Sequence, residues 1–208
     1  MNKKFILLLI SALTISSSMS KILAKEQKSL NEIINSESYT LKCLISLKCK
    51  NEVKQIHNIT DIAKSFPESN FDIVSDEINR ILSSLHQMKV KVFLGNEKYF
   101  PLNFRGLYST RENNIYLNKA YMNNPVNLIA TMRHEGWHVA QDCKAGMRNT
   151  RMDIIISEKY VPKFYQDEVE ELYASEPSYI PYEKEAYWAS NVSGMTEVAL
   201  ESCVENLK

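Results

Sequence analysis

The chain has 208 residues, a length that suits one domain with a hydrophobic core of its own. Hydrophobic residues make up 44% of the sequence and charged residues 24%, which is typical of a globular protein and excludes a disordered or fibrous chain. The formal net charge is +0 at pH 7, so no overall field would hold nucleic acid or an anionic membrane. We expect no nucleic-acid partner, and recognition of other molecules by a defined site.

The N-terminus has the pattern of a secretory signal peptide. Lys3 and Lys4 precede an almost unbroken apolar run over residues 5–15, and a stretch of small polar residues follows. The run is too short for a membrane-spanning helix, which needs about 20 residues. We therefore predict a signal peptide over residues 1–24 and a single domain over residues 25–208. The mature protein would be periplasmic or secreted and not an integral membrane protein; the alternative is an uncleaved anchor.

The cysteine content agrees with export. Four cysteines are present, and an even number in an exported chain indicates two disulfides. Cys43 and Cys49 are close enough to close a local loop, which would leave Cys143 and Cys203 to tie a central helix to the C-terminus. Four cysteines permit three pairings, and the sequence alone does not choose among them. The spacing C-x-x-C is absent, which disfavours a zinc site built from thiolates.

The first half of the mature chain predicts helices and then strands. One or two peripheral helices are expected within residues 25–60. Apolar residues recur at helical spacing over residues 70–88, which predicts an amphipathic helix. A strand follows at residues 90–94, and a hairpin is predicted with arms at residues 106–110 and 114–117.

The second half is predicted to be helical. Asn124 can cap a helix whose first turn accepts Pro125, and Gly146 suits its C-terminal end, so a long helix is expected from Pro125 to Ala145. Three shorter helices are predicted beyond it, over residues 166–174, 181–188 and 196–207. A few strands followed by a run of helices indicate a helix-rich α+β fold with a small antiparallel sheet.

The long helix carries the motif H-E-x-x-H at residues 134–138. The i, i+4 spacing places His134 and His138 on one face of the helix, one turn apart, where both can bind a single zinc ion. Glu135 lies about 100° further round and can act as a general base on a water molecule. Gly136 costs roughly 1 kcal/mol relative to alanine inside a helix, a cost that is tolerated when another group must approach closely.

Two histidines leave zinc short of a protein ligand, and a carboxylate on a later helix is favoured. The sequence Glu183-Lys184-Glu185-Ala186 there resembles the gluzincin branch of the zincin metallopeptidases, whose third ligand is a downstream helical glutamate, often within E-x-E-A-D. The resemblance covers about residues 114–191, is strong only at the two motifs, and departs from the pattern at Tyr187. It implies a zincin-like fold and Glu185 as the zinc ligand.

The position of Glu185 within its helix agrees with that assignment. Residues two apart are rotated by about 200°, so Glu183 and Glu185 cannot both face one ion. Glu185 shares its face with Trp188 and Ala189, which look buried, whereas Glu183 groups with Tyr187 nearer the first turn. Glu183 remains the direct alternative, and other acidic candidates lie earlier in the chain, at Glu170, Glu171 and Glu176.

Two further expectations concern the surroundings of the metal. Asp142, one turn beyond His138, is either a residue that orients an imidazole or a solvated residue near the helix end. The resemblance also implies that an extended peptide pairs with an edge strand just before the active helix, and residues 114–118 are placed to be that strand. An ordinary hairpin arm is an equally good interpretation of those residues.

These observations together predict an exported zinc metallopeptidase that hydrolyses peptide bonds, with a peptide or protein as substrate. The alternatives are a non-catalytic module of the same fold that binds peptides or a partner, and a structural protein stabilised by disulfides and an inert metal. Glu135 favours catalysis, because a binding module has no use for a base beside the metal.

Overall fold

The structure is a computed structural model that describes residues 53–101, 103–147 and 151–207. The predicted signal peptide over residues 1–24 lies outside these residues, as do Cys43 and Cys49. The same holds for most of the segment in which peripheral helices were predicted. Its described end is a strand followed by a short helix.

A four-stranded sheet forms one layer of the fold. Its strands have the order β1-β2-β4-β3, where β1 is Val53–Ile56, β2 is Lys91–Gly95, β3 is Gly106–Ser109 and β4 is Asn114–Asn118. The predicted strand and hairpin are confirmed as β2 and as the β3–β4 pair. The sheet is mixed, however, and not antiparallel as predicted, because β2 and β4 run parallel. The chain reverses direction once between β2 and β3 and again between β3 and β4, so β4 runs in the direction of β2.

Six helices in the described part of the chain form the other layer. They are α1 (Ile59–Ala63), α2 (Asp72–Gln87), α3 (Pro125–Lys144), α4 (Lys163–Leu172), α5 (Ile180–Ser190) and α6 (Met195–Asn206), with short 3-10 turns at Glu97–Tyr99 and Glu158–Tyr160. The predicted helix-rich α+β class is confirmed, and the helices from α2 onward lie within a few residues of their predicted positions. None of the helices in the described ranges combines the length and apolar character needed to cross a membrane.

Helix α3 is the central element. Its start follows from local chemistry, because the side chain of Asn124 accepts hydrogen bonds from the backbone of Val126 at 2.8 Å and Asn127 at 3.3 Å. It ends before Gly146, whose φ of 100° favours glycine. Along its length α3 packs against α2, α5, α6 and β3. Side chains on different faces of α3 therefore meet different parts of the fold.

The hydrophobic core lies mainly between the sheet and the helices. Alternation along the strands sends Val92, Leu94, Ile115 and Leu117 into this core. Phe93 and Tyr116 point to the opposite face of the sheet, where they form a small aromatic cluster with Tyr99 and Phe100.

A disulfide joins Cys143 at the end of α3 to Cys203 on α6, as in one of the three pairings that the sequence permits. It closes a sequence separation of 60 residues that includes α4 and α5. The bond therefore ties the helix with the H-E-x-x-H motif to the last helix of the chain.

Candidate metal centre

The two histidines of α3 face each other across one helical turn. The Nε2 atoms of His134 and His138 are 3.2 Å apart, and their rings are nearly perpendicular. His138 is buried and His134 is half-buried. The i, i+4 spacing thus places both imidazoles at one point beside the helix, as predicted.

A carboxylate from α5 completes the group. Glu183 Oε2 lies 3.2 Å from His134 Nε2, and Glu183 Oε1 lies 3.4 Å from His138 Nε2. One nitrogen of each imidazole and one carboxylate oxygen lie within 4.8 Å of one another, an arrangement that could hold a metal ion. Glu183 follows the two histidines by 45 or more residues in the sequence, so the group joins α3 to α5.

The spacing of these atoms can be compared with that of ligand atoms around a tetrahedral zinc ion. With bonds of about 2.0–2.1 Å, ligand atoms at the corners of a tetrahedron lie about 3.3 Å from one another. The two imidazole nitrogens are 3.2 Å apart, and each lies near this distance from a different oxygen of Glu183: His134 Nε2 is 3.2 Å from Oε2, and His138 Nε2 is 3.4 Å from Oε1. Lone pairs that converge at this distance repel each other unless a proton or a metal cation lies between them. The residues therefore fit a metal ion chemically as well as in their geometry.

The electrostatics of the group point the same way. Although burial alone would lower the pKa of His138, the adjacent Glu183 carboxylate raises it to about 9. Burial would likewise raise the pKa of Glu183, but His138 and His134 hold it well below its usual range. Without a metal, a proton on His138 supplies the positive charge that the Glu183 carboxylate requires.

Glu135 lies between α3 and the edge of the sheet. It is buried, and its carboxylate accepts a hydrogen bond from the backbone N–H of Tyr108 on β3. Burial raises the pKa of the Glu135 carboxyl, and the charge of Glu183 adds to that rise, while the two histidines oppose it. The approach of β3 is so close that a Cβ on Gly106 would meet Glu135 Oε1 at 2.8 Å. The strand thus holds the predicted base in place.

The structure does not bring Glu185 to the two histidines, contrary to the sequence-based expectation. Its carboxylate is 1% exposed and accepts hydrogen bonds from four N–H groups. The donors are Trp137 Nε1 at 3.0 Å, Gln141 Nε2 at 2.8 Å, and the backbone of Ile155 at 3.1 Å and Ile156 at 2.5 Å. With its oxygens held by these donors, Glu185 is a structural anchor between α3, α5 and the segment before α4.

The contacts of Asp142 also differ from the predicted role in which its carboxylate orients an imidazole. Asp142 is fully buried, and its Oδ2 accepts a hydrogen bond of 2.6 Å from the hydroxyl of Tyr108. The orienting contact is made by the preceding residue, since Gln141 Oε1 lies 2.8 Å from Nδ1 of His138. The other prediction for Asp142, a solvated residue near the helix end, is wrong as well, because the residue is fully buried.

Two tyrosines border the group that could hold a metal ion. Tyr187 presents its ring edge-to-face to His134, with 5.8 Å between ring centroids. Tyr173, just beyond α4, makes a side-chain hydrogen bond with Glu183, and burial together with that carboxylate raises the pKa of its hydroxyl. Both residues can therefore contact a molecule bound at the group.

The remaining acidic candidates lie away from the histidines. Glu170 is exposed and pairs with Lys184, with 2.6 Å between Nζ and Oε1. Lys184 also pairs with Glu158, and together these contacts hold α4 and the 3-10 turn before it against α5. Glu171 and Glu176 are exposed. None of the three carboxylates belongs to the group that could hold a metal.

The predicted substrate strand is not at the edge of the sheet. Asn114–Asn118 is paired on both sides, with β2 and with β3, and all five of its residues are buried. The edge beside α3 is formed by β3, which pairs only with β4 among the described strands. Of the two arms of the hairpin, the first and not the second is available for a further strand.

The fold and the site together define a helix-rich α+β protein with a small mixed sheet and a His–His–Glu group able to hold a metal ion. No protein-family model, no curated protein and no solved structure matches the chain.

Proposed function

We propose that this protein is an exported zinc-dependent peptidase of the zincin type. The observation that carries the proposal is the convergence of His134, His138 and Glu183 at separations of 3.2–3.4 Å, with Glu135 beside them. Two imidazoles and one carboxylate are a common set of protein ligands in catalytic zinc sites, which keep a further position open. A zinc ion held there would polarise a carbonyl oxygen and lower the pKa of a bound water molecule toward about 7.

In the proposed reaction Glu135 handles the proton. Its raised pKa brings the carboxyl nearer the range in which a general base both takes up and releases a proton. Glu135 takes the proton of the attacking water and delivers it to the amine that leaves. The contact with β3 holds the carboxylate in one place during both transfers, since Gly106 and the backbone of Tyr108 lie against it.

The proposed substrate is an extended peptide that lies along β3. This strand has a free side among the described strands and lies against α3 next to Glu135. A peptide paired with it by backbone hydrogen bonds would carry a carbonyl group past the catalytic residues. Backbone pairing favours substrates with an unfolded stretch of several residues over small molecules.

Export is proposed from the signal-like N-terminus and is supported by the disulfide between Cys143 and Cys203. Disulfides of this kind persist in oxidising compartments such as the periplasm or the extracellular space. The proposed location is therefore periplasmic or secreted.

The metal-binding part of the proposal is tested by zinc titration of the purified protein against a competing chelator. Replacing a ligand should weaken binding by more than the roughly 10–100-fold typical of residues that only support a ligand. We expect this loss for Glu183→Ala. Glu176→Ala is the matched control, because it removes an exposed glutamate of the same region. Equal affinity of Glu183→Ala and the parent would remove Glu183 from the site.

The peptidase part is tested separately with Glu135→Gln, which keeps the size of the side chain but cannot accept a proton. The variant should retain one equivalent of zinc while turnover of a peptide library falls by roughly 10²-fold or more. If the parent binds zinc but cleaves nothing in that library or in an unfolded protein, the non-catalytic binding module replaces the peptidase as the better description.

A further inference from the structure

We propose that Gln141 is the positioning residue that fixes the orientation and the protonated nitrogen of His138, and that Glu185 sets the direction of the Gln141 amide. This inference rests on the metal site proposed above. It gives a role to two buried residues outside that site: Gln141, which is 0% exposed, and Glu185, which is 1% exposed.

The direction of the Gln141 amide follows from its neighbours. One end of the amide lies 2.8 Å from Glu185 Oε2 and 3.1 Å from the backbone oxygen of Tyr182. Both neighbours can only accept hydrogen bonds, so the NH₂ group must point toward them. The carbonyl oxygen of Gln141 then points toward His138.

The nitrogen of His138 that carries a proton follows in turn. Gln141 Oε1 lies 2.8 Å from Nδ1 of His138 and can only accept a hydrogen bond. Nδ1 must therefore carry a proton, because two lone pairs at that distance would repel each other. In the neutral ring this leaves the lone pair on Nε2, the atom that faces His134 and Glu183.

The orientation of Glu185 is itself determined by the fold. Its carboxylate receives the indole N–H of Trp137 and two consecutive backbone N–H groups, those of Ile155 and Ile156. These donors come from α3 and from the segment before α4, while Glu185 belongs to α5. The imidazole of His138 is thus held in register with α5, the helix that also supplies Glu183.

Zinc titration and NMR of the zinc-loaded protein test the inference together. Gln141→Met keeps a side chain of similar length but removes the carbonyl acceptor. We expect it to bind zinc roughly 10–100-fold more weakly than the parent. Thr196→Val is the matched control, since it removes another buried hydrogen bond to α3, from Thr196 Oγ1 to the backbone of Arg133 at 3.0 Å. The control should bind zinc like the parent.

The second measurement begins with the parent, for which the result does not depend on the folding of a variant. In the zinc-loaded parent, long-range ¹H–¹⁵N correlation spectra should show His138 bound through Nε2, with a proton on Nδ1 that exchanges slowly with solvent. In Gln141→Met that proton should exchange rapidly. A loss of stability without these changes would be a purely structural effect and would overturn the inference.

The remaining outcomes are distinguishable. If the parent binds zinc and Gln141→Met binds it equally well, Gln141 is not a positioning residue and the inference fails while the metal site stands. If spectra of the parent show His138 bound through Nδ1, the inference also fails, because Nδ1 would then carry the metal and not a proton. If the parent takes up no zinc, the proposed metal site and this inference fail together.

Discussion

The packing of α3 against α6 at Gly136 leads to a quantitative prediction for Gly136→Ala. A Cβ at this position would lie 2.8 Å from Thr196 Cγ2, with Leu200 Cδ1 at 3.6 Å and Ile81 Cγ2 at 3.8 Å. Carbon atoms pack best at about 3.5–4.0 Å, so only the contact with Thr196 is too short, by roughly 1 Å. The predicted reason for glycine in this helix, close approach of another group, is confirmed.

The magnitude is a balance of two opposing effects. Alanine in place of glycine inside a helix stabilises the folded state by roughly 1 kcal/mol. Overpacking a well-packed core costs typically about 1–3 kcal/mol. Thr196 cannot rotate away cheaply, because it is fully buried and its hydroxyl donates a hydrogen bond to the backbone oxygen of Arg133. We therefore expect Gly136→Ala to lower the free energy of unfolding by about 1 kcal/mol.

Urea denaturation of four proteins tests this balance: the parent, Gly136→Ala, Thr196→Ser and the double variant. Thr196→Ser removes the methyl group that is contacted and keeps the hydroxyl, so the double variant should recover the loss. The coupling energy between the two sites should lie in the range of about 0.5–3 kcal/mol found for residues in contact. A Gly136→Ala protein more stable than the parent, with no coupling to Thr196, would refute the reasoning.

Three further predictions concern the site and the disulfide. In the metal-free protein the pKa of His138 is raised to about 9. The stability that this shift gives the folded state is complete below the pKa of the unfolded state, near 6.5, and is lost as the pH rises through 9. Urea unfolding of chelator-treated protein should show a loss of about 3 kcal/mol across that interval, and the zinc-loaded protein should not. Replacing Cys203 by serine opens the link to Cys143 and should cost roughly 2–4 kcal/mol, so an unchanged unfolding midpoint would contradict a stabilising role. Gly106→Ala should displace Glu135, because the new Cβ would lie 2.8 Å from the carboxylate oxygen of Glu135. Turnover should then fall roughly 10-fold or more, while metal analysis should find the same zinc content as in the parent.

Much of the local structure was predictable from the sequence because its signals are local. The cap at Asn124 and the glycine at position 146 mark the two ends of a helix through contacts within a few residues. The H-E-x-x-H spacing places two imidazoles on one face of that helix whatever surrounds it. The hairpin and the amphipathic helix α2 were likewise predicted from turn residues and hydrophobic periodicity.

The partner of the two histidines was not predictable in this way. The helical period rotates residues 183 and 185 by about 200° from each other, so the sequence excludes their sharing one ion but does not say which of them reaches His134 and His138. The argument from helix position was that Glu185 lies on the buried face of α5. Glu185 is indeed the more buried of the two glutamates. Burial does not distinguish a metal ligand from a carboxylate whose oxygens are fully hydrogen-bonded by neighbouring N–H groups.

The sequence by itself therefore determined the class of fold, the central helix, and two imidazoles with the carboxylate of Glu135 beside them. The tertiary structure decided the rest: Glu183 at the histidines, Glu185 in the anchor, Gln141 behind His138, and β3 at the sheet edge. Each of these depends on how far an element is rotated about its axis and which neighbour it packs against. Those quantities are set by contacts between residues distant in the chain, which helical and strand periodicity do not encode.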